Sequence, residues 1–244
     1  MNEAATYALR LADDALVLAQ RLSWWTSRAP ELEEDLALAN IALDLLGQAR
    51  ALLTRAGELE GAGRGEDALA YLRGEREYLN LLIVEQPNGD FAQTIGRQLL
   101  FSTFQLARYE ALQDCPDEVI AGVSGKAVKE VTYHRDHAMR WTLRLGDGTG
   151  ESHARMQQAI DRLWPYTHEM FDGDHVDRAI GADPAGLFRD WQAFVSCVLD
   201  DAGVAIPADG WHPSGGRRGL HTEALGHMLA EMQSVARAHP GATW

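Results

Sequence analysis

Cysteine is scarce in this sequence, which has only Cys115 and Cys197 among its 244 residues. The two stand apart, without a CxxC pair or zinc-type spacing, so a disulfide framework or a structural zinc site is not indicated. No run of about 18 apolar residues is present. The N-terminus MNEAATYALRLADDAL is amphipathic and of mixed charge, unlike a signal peptide. These absences predict a cytoplasmic protein without a membrane span.

Basic residues are also few, with 22 Lys and Arg against 36 Asp and Glu and a formal net charge of −14. A bulk charge of that sign argues against binding to nucleic acid or to anionic membranes. Glycine-rich phosphate loops of the Rossmann and Walker types are missing, and nothing resembles a nucleophile elbow. The composition favours a soluble protein, and the acidic excess is compatible with a basic partner.

Apolar residues recur at helical spacing along most of the chain, without an alternating strand pattern or a fixed repeat. Glycine and proline clusters separate the helical segments. The predicted helices span 4–26, 31–56, 66–86, 91–112, 118–145, 151–171, 185–201 and 221–238. The sequence therefore predicts an all-α bundle of antiparallel neighbours, forming one domain over residues 1–244.

The helix predicted at 31–56, ELEEDLALANIALDLLGQARALLTRA, is apolar on almost every side. A helix of this kind is a buried helix. A thin polar stripe, Asn40, Asp44, Gly47 and Gln48, is then expected to face polar partners inside the protein, because an unpaired buried carboxylate is costly. In the helix predicted at 4–26, three polar residues are candidates for the interior, but a solvated face is the favoured interpretation. They are Asp13, Asp14 and Gln20.

Carboxylates and histidines on inward faces of a bundle suggest the ferritin-like di-iron proteins, in which two helices each carry Glu-x-x-His. That spacing places both side chains on one face, so both reach the same metal. Here the first matching tetrad runs from Asp44 to Gly47, and the second runs from Glu130 to Tyr133 with His134 one residue late. Since neither tetrad is intact, the pattern predicts the scaffold of a metal site without its ligands.

Other interpretations of these residues stay open. Asp44 fits a structural carboxylate paired with Lys126 or Lys129, or a metal ligand. Glu130 and His134 fit a hydrogen-bonded polar layer better than a metal site, although His134 and His137 form an H-x-x-H pair.

The segment SGGRRGLHTE at 214–223 holds two arginines in a glycine loop before a helix start. It fits a surface loop with a helix cap. It also fits a contact with a partner chain, or a site for a phosphate such as that of a coenzyme A ester. The residues concerned are Arg217, Arg218 and His221.

Four separated runs, at 32–50, 81–95, 126–152 and 215–233, resemble the structural subunits of bacterial ring 1,2-phenylacetyl-CoA epoxidases. The resemblance implies a ferritin-like fold with additional C-terminal helices and a place in aerobic phenylacetate catabolism. It also implies a homologous catalytic subunit that holds a di-iron centre and epoxidises the ring with O₂. A flavin and iron–sulfur reductase would pass electrons to that subunit from NADPH.

By this resemblance the chain binds and stabilises the catalytic subunit, and it has no metal or cofactor of its own. Two other hypotheses remain. In one, the chain is itself an oxygenase that uses Asp44, Glu130 and His134. In the other, it binds a coenzyme A ester near Arg217 and Arg218.

Overall fold

The computed structural model describes residues 2–242, and this range contains helices and turns but no strand. Met1 and the last two residues of the chain lie outside the described residues. In chain order the helices are α1 (Glu3–Ser23), α2 (Leu32–Glu60), α3 (Glu66–Tyr71), α4 (Leu82–Glu85), α5 (Phe91–Ala111), α6 (Glu118–Gly146), α7 (Gly150–Leu163), α8 (His175–Ala179), α9 (Phe188–Asp201), α10 (Glu223–Met232) and α11 (Ser234–Ala238). The all-α prediction is confirmed.

The chain divides into two compact units. The first comprises Met1–Pro87 and Gly215–Trp244, and the second comprises Asn88–Ser214. A single domain over residues 1–244 stays a prediction.

In the first unit, α1 is buried along most of its length and packs along α2. The short helix α4 also packs on α1. α2 ends at Glu60 and is followed by the cap residue Gly61, whose φ of 70° is a conformation that glycine adopts without a steric penalty. By length and composition α2 is apolar enough to cross a membrane, a criterion that the core helix of a soluble protein also meets.

In the second unit, α5 is buried over most of its length and packs against α6, α7 and α9. Gly96 lets α7 approach closely, because a Cβ there would lie 3.2 Å from Met156 Cε and 3.3 Å from Leu163 Cδ1. On α9, Trp191 donates from Nε1 to the Leu100 carbonyl oxygen at 2.9 Å. The core of this unit is therefore built around α5.

The helix starts that the sequence predicts at 91 and 118 are confirmed, and the preceding aspartate caps each helix. Asp90 accepts a hydrogen bond from the Gln93 amide, and Asp117 accepts from the amides of Val119 and Ile120. Side-chain oxygens at these positions satisfy amides that the first helical turn leaves without a partner.

Other predicted boundaries are wrong. The helix predicted at 66–86 is divided into α3, a 3-10 turn at Glu75–Glu77, an extended stretch and α4. The helix predicted at 151–171 ends at Leu163 and continues as 3-10 turns from Trp164, next to Pro165. The connection at 172–184 contains α8, which the Asp174 side chain caps. Gln233 separates α10 from α11.

The helix α2 is buried on one flank only, so the expectation that it is buried all round is wrong. Four apolar residues of the inner flank have zero exposure: Leu38, Ile41, Leu45 and Leu52. On the outer flank, Leu36 and Leu43 are exposed. The polar stripe does not lie inside as a whole either, since Gln48 is buried but Asn40 is exposed.

Candidate functional site

The α2 tetrad that the sequence matched to a di-iron site does not project fully into the interior. Asp44 is half-buried and Gly47 is exposed. A Cβ added to Gly47 would meet no atom within 4 Å, so the glycine is not required by packing within the chain. The buried polar residues of α2 lie elsewhere, at Glu34 and Gln48. The pairing of Asp44 with a lysine stays a prediction.

The α6 tetrad is divided between surface and interior. Glu130 forms an ion pair with Lys126, with Oε1 and Nζ 3.0 Å apart, and the lysine side chain is exposed. Tyr133 is exposed as well, whereas His134 is buried. His134 is the one imidazole among the buried residues of α6, and these residues include no carboxylate.

The ligand types of a di-iron centre are few among the buried residues of these two helices. Such a centre takes four carboxylates and two histidines from facing helices. The buried faces of α2 and α6 together supply Glu34 and His134 as ligand types. Across residues 2–242, no group of three or more His, Cys, Asp or Glu side chains is arranged to hold a metal ion.

The first unit instead contains a cluster of paired charges in its core, which we call the buried charge cluster. Its acids are Asp13, Asp14 and Glu85, and its bases are Arg73, Arg217 and His221. All three acids have zero exposure. The interpretation of Asp13 and Asp14 as part of a solvated face is therefore wrong.

The first pair joins α1 to the chain that follows α3. The Arg73 guanidinium donates to both carboxylate oxygens of Asp13, with 3.0 Å between Nη1 and Oδ2. The Leu79 amide donates to the same Oδ2 at 2.8 Å, and Arg73 Nη1 also donates to the Glu77 carbonyl at 2.9 Å. Burial alone would lower the pKa of Arg73, but Asp13 reverses this and the pKa is raised. The guanidinium of Arg73 therefore stays charged in the core.

Tyr78 completes the surroundings of this pair. The Arg73 guanidinium lies over the Tyr78 ring at 4.2 Å from its centroid, a favourable cation–π position. The Tyr78 hydroxyl donates to the Ala70 carbonyl. Burial raises the pKa of Tyr78 to about 12, so the phenol stays protonated as a donor.

The second pair attaches the glycine loop at 214–219 to α1. Arg217 donates to both oxygens of Asp14, from Nη2 to Oδ2 at 2.8 Å and from Nη1 to Oδ1 at 3.1 Å. Its Nη1 also donates to the Leu79 carbonyl at 2.8 Å. The Leu81 amide donates to Asp14 Oδ1 at 2.8 Å. The planar guanidinium suits this bidentate contact with a carboxylate.

The glycines of this loop serve packing within the chain. A Cβ on Gly216 would lie 2.2 Å from the Asn80 carbonyl oxygen, and a Cβ on Gly219 would lie 2.2 Å from that of Arg76. Gly219 also has a φ of 73°. Only glycine allows the backbone to approach so closely. The loop is thus shaped to fit the segment at 76–80.

The third pair is Glu85 with His221, whose side chains have no exposed surface. His221 contacts Glu85 Oε2 through Nδ1 and the Tyr78 carbonyl oxygen through Nε2, both at 2.8 Å. A carbonyl only accepts, so Nε2 carries a proton, and the carboxylate favours a second proton on Nδ1. Burial opposes the charged imidazole, but the contact with Glu85 outweighs it and the pKa of His221 is raised.

Glu85 accepts three further hydrogen bonds, all from neighbouring polar groups. The Thr222 amide and hydroxyl donate to Oε1 at 2.7 and 2.8 Å, and the Asn80 side chain donates to Oε2 at 2.8 Å. The carboxylate of Glu85 therefore holds the start of α10 against the segment that precedes α4.

These contacts show which of the predicted site residues of the glycine loop are available to a ligand. Arg217 and His221 are bound to Asp14 and Glu85 within the same unit, so neither side chain is arranged to hold a phosphate. Arg218 is exposed. A partner or phosphate contact at Arg218 stays a prediction.

Each buried acid of the cluster is thus satisfied by a side-chain cation and by backbone amides or hydroxyls. The oxygens of these carboxylates are occupied by donors of the same unit, and the three side chains are closed to solvent. The cluster is suited to holding the segments at 73–86 and 215–222 against α1. The signal in the sequence is the apolar stretch LADDALVLA, in which two adjacent aspartates have only apolar residues as near neighbours on both sides.

Comparison with known proteins gives the family. The model of the family described as "Phenylacetic acid catabolic protein" matches residues 1–244. The chain is also 49% identical over 249 residues to a protein of Escherichia coli strain K12 that is named as a subunit of 1,2-phenylacetyl-CoA epoxidase, and the match covers 100% of both chains. The all-α structure is consistent with the ferritin-like fold of the family. The chain belongs to the phenylacetic acid catabolic protein family.

Proposed function

We propose that this chain is a structural, non-catalytic subunit of a phenylacetyl-CoA 1,2-epoxidase complex in aerobic phenylacetate catabolism. It binds and stabilises the homologous subunit that holds the di-iron centre, and it carries no cofactor itself. Other epoxidase subunits and a flavin and iron–sulfur reductase complete the complex. The full-length similarity to an epoxidase subunit of Escherichia coli supports membership of such a complex.

The observation that carries the non-catalytic role is the pairing of the buried charge cluster. A buried carboxylate needs a cation or a proton, and in a metalloenzyme the metal supplies the charge. Here Arg73, Arg217 and His221 supply it to the three acids with zero exposure. These three acids therefore need no metal to balance their charge, which suits a supporting role.

The iron content of the purified chain tests this role. The chain is incubated with ferrous iron under anaerobic conditions, desalted and assayed for iron, beside the di-iron subunit treated in the same way. We expect iron well below one per chain. Close to two irons per chain, lost when Asp44 or Glu130 is replaced, would instead show that the chain is an oxygenase in its own right.

A second test addresses the coenzyme A ester. Since Arg217 is bound to Asp14, only Arg218 of the two arginines is exposed for a ligand. We expect an Arg218→Gln variant to assemble normally with the di-iron subunit and to bind phenylacetyl-CoA no differently from the unmodified chain. Loss of binding in the isolated variant would favour the ester-binding hypothesis.

A further inference from the structure

The outer flank of α2 carries four exposed leucines that we call the outer leucine seam. Their exposed fractions are 70% for Leu32, 58% for Leu36, 64% for Leu43 and 38% for Leu46. Along a helix this stretch covers roughly 21 Å at about 1.5 Å per residue. Single exposed leucines need no explanation, but an aligned row of them marks an interaction surface.

The spacing of the seam indicates what covers it. The steps from Leu32 to Leu36, Leu43 and Leu46 are four, seven and three residues, with half-buried Ala39 between them. Apolar residues that alternate in steps of three and four repeat every 3.5 residues, which is the pattern of a helix that packs against another helix in coiled-coil fashion. The inner flank follows the same spacing and is used within the chain. The outer flank therefore presents a second helix-packing surface.

Gly47 lies beside this seam and supports the same conclusion. A glycine inside a helix costs stability relative to alanine. Packing within residues 2–242 does not require glycine here, because a Cβ would meet none of their atoms within 4 Å. Glycine at a helix surface does permit close approach of a second backbone. Its position next to Leu43 and Leu46 fits a closely packed helix from outside.

The charges at the two ends of the seam indicate the chemistry of the partner. The exposed acids Glu31 and Glu33 make no hydrogen bond or ion pair with another side chain in residues 2–242. The arginines near the other end of the helix are already paired, Arg50 with Glu66 at 2.8 Å and Arg55 with Glu58 at 3.1 Å. The surplus charge beside the seam is thus negative.

We infer that the outer leucine seam docks an apolar helix of the di-iron subunit, with basic side chains on that helix facing Glu31 and Glu33. A second copy of this chain is disfavoured because it would bring the same negative surplus to a chain that already carries a net charge of −14. A membrane surface is disfavoured because helices that lie on membranes have Lys and Arg on their polar face. This inference rests on the proposed function and specifies the surface and the chemistry of its partner.

The test measures binding of the full chain to the di-iron subunit of the same organism by co-purification and by titration. The variant is Leu36→Arg with Leu43→Arg, and the matched control is Leu72→Arg, a leucine of the same unit with 60% exposure that lies outside the seam. We expect the seam variant to bind at least about 100-fold more weakly, as loss of two central apolar anchors would do. The control should bind like the unmodified chain.

A milder pair, Leu36→Gln with Leu43→Gln, gives the answer if the arginine variant fails to fold by circular dichroism. A seam variant that binds as tightly as the unmodified chain would overturn the seam while leaving the subunit role intact. If the unmodified chain itself recovers no di-iron subunit, both the proposed function and the seam are wrong. A dimer of the chain alone that the seam variant converts to a monomer would show that a second copy is the occupant.

A separate pair of substitutions tests whether Glu31 and Glu33 face basic side chains of the partner. Glu31→Lys with Glu33→Lys should slow association and reduce its dependence on salt, as rim charges do. Glu118→Lys is the control, because Glu118 is an exposed acid in the first turn of α6 and has the same relation to a helix dipole. Faster association of the double variant would contradict a basic partner.

Discussion

The buried charge cluster and the outer leucine seam lie in one unit, and their side chains are distributed in opposite ways. The cluster places Asp13, Asp14 and Glu85 in the core, whereas the seam leaves Leu36 and Leu43 in water. The difference depends on partners. Each buried acid has a cation within the chain, so its burial is tolerated. The leucines of the seam are largely uncovered in the isolated chain, so they can be buried only by binding another molecule.

The largest expected effect comes from removing a cation of the cluster. Arg73→Met leaves Asp13 as a buried charge without its ion partner, which destabilises a protein by about 3–5 kcal/mol. We expect a loss of that size in the free energy of unfolding, measured by urea denaturation. The control is Arg50→Met, which breaks the exposed pair with Glu66. It should leave the free energy of unfolding nearly unchanged, because exposed ion pairs contribute little to stability. Equal losses in the two variants would remove the distinction between buried and exposed pairs.

The two flanks of α2 can be compared by the same substitution, leucine to alanine, made once on each flank. Leu45 has zero exposure and Leu43 is exposed. Leu45→Ala removes a fully buried side chain and should lower the free energy of unfolding of the isolated chain by about 2–5 kcal/mol. Leu43→Ala should change it by only about 0.5 kcal/mol. A large loss from Leu43→Ala in the isolated chain would mean that the outer flank is covered within the chain.

A smaller effect is expected from the protonation of His221. Its pKa is raised above the ordinary value of 6.5, because Glu85 and the Tyr78 carbonyl outweigh the opposing effect of burial. A raised pKa contributes stability that is complete below the unfolded value and is lost as the pH rises through the folded value. We therefore expect the difference in unfolding free energy between the unmodified chain and His221→Gln to shrink as the pH is raised above neutrality.

Urea denaturation of both proteins, at pH values below and above the folded pKa, measures this difference. Glu85→Gln is the companion variant, because its neutral amide no longer favours the imidazolium. The pH dependence should be weaker in Glu85→Gln than in the unmodified chain. If the difference in unfolding free energy between the unmodified chain and His221→Gln stays constant with pH, the pKa of His221 is the same in the folded and unfolded chain.

The sequence predicted those features that depend on neighbouring residues. The helix starts at 91 and 118 are among them, because the caps Asp90 and Asp117 act on the amides of the next few residues. The extended stretch inside 66–86 was missed, because the amides of Leu79 and Leu81 are satisfied by carboxylates more than 60 residues earlier in the chain. Periodicity cannot report an interaction at that distance.

The same limit explains the errors on the site. Periodicity showed two apolar flanks on α2 but could not show that only one is covered by the chain itself. It also could not show that Arg73 and Arg217 would approach Asp13 and Asp14, so these acids were interpreted as solvated. The resemblance to epoxidase subunits was specific because it rested on four separated runs, and the family match over residues 1–244 confirms it.

The smallest effect is expected from a substitution of Gly47, which should change the stability of the chain and its binding to the di-iron subunit in opposite directions. Alanine has the higher helix propensity, and a Cβ at this exposed position meets no atom of the chain within 4 Å. Gly47→Ala should therefore raise the free energy of unfolding of the isolated chain by about 0.8–1.0 kcal/mol. The same variant should bind the di-iron subunit less tightly if a helix packs closely beside the seam. Urea denaturation and titration of one variant would measure both quantities. A gain in stability without any loss of binding would place the partner helix farther from α2 than a glycine contact requires.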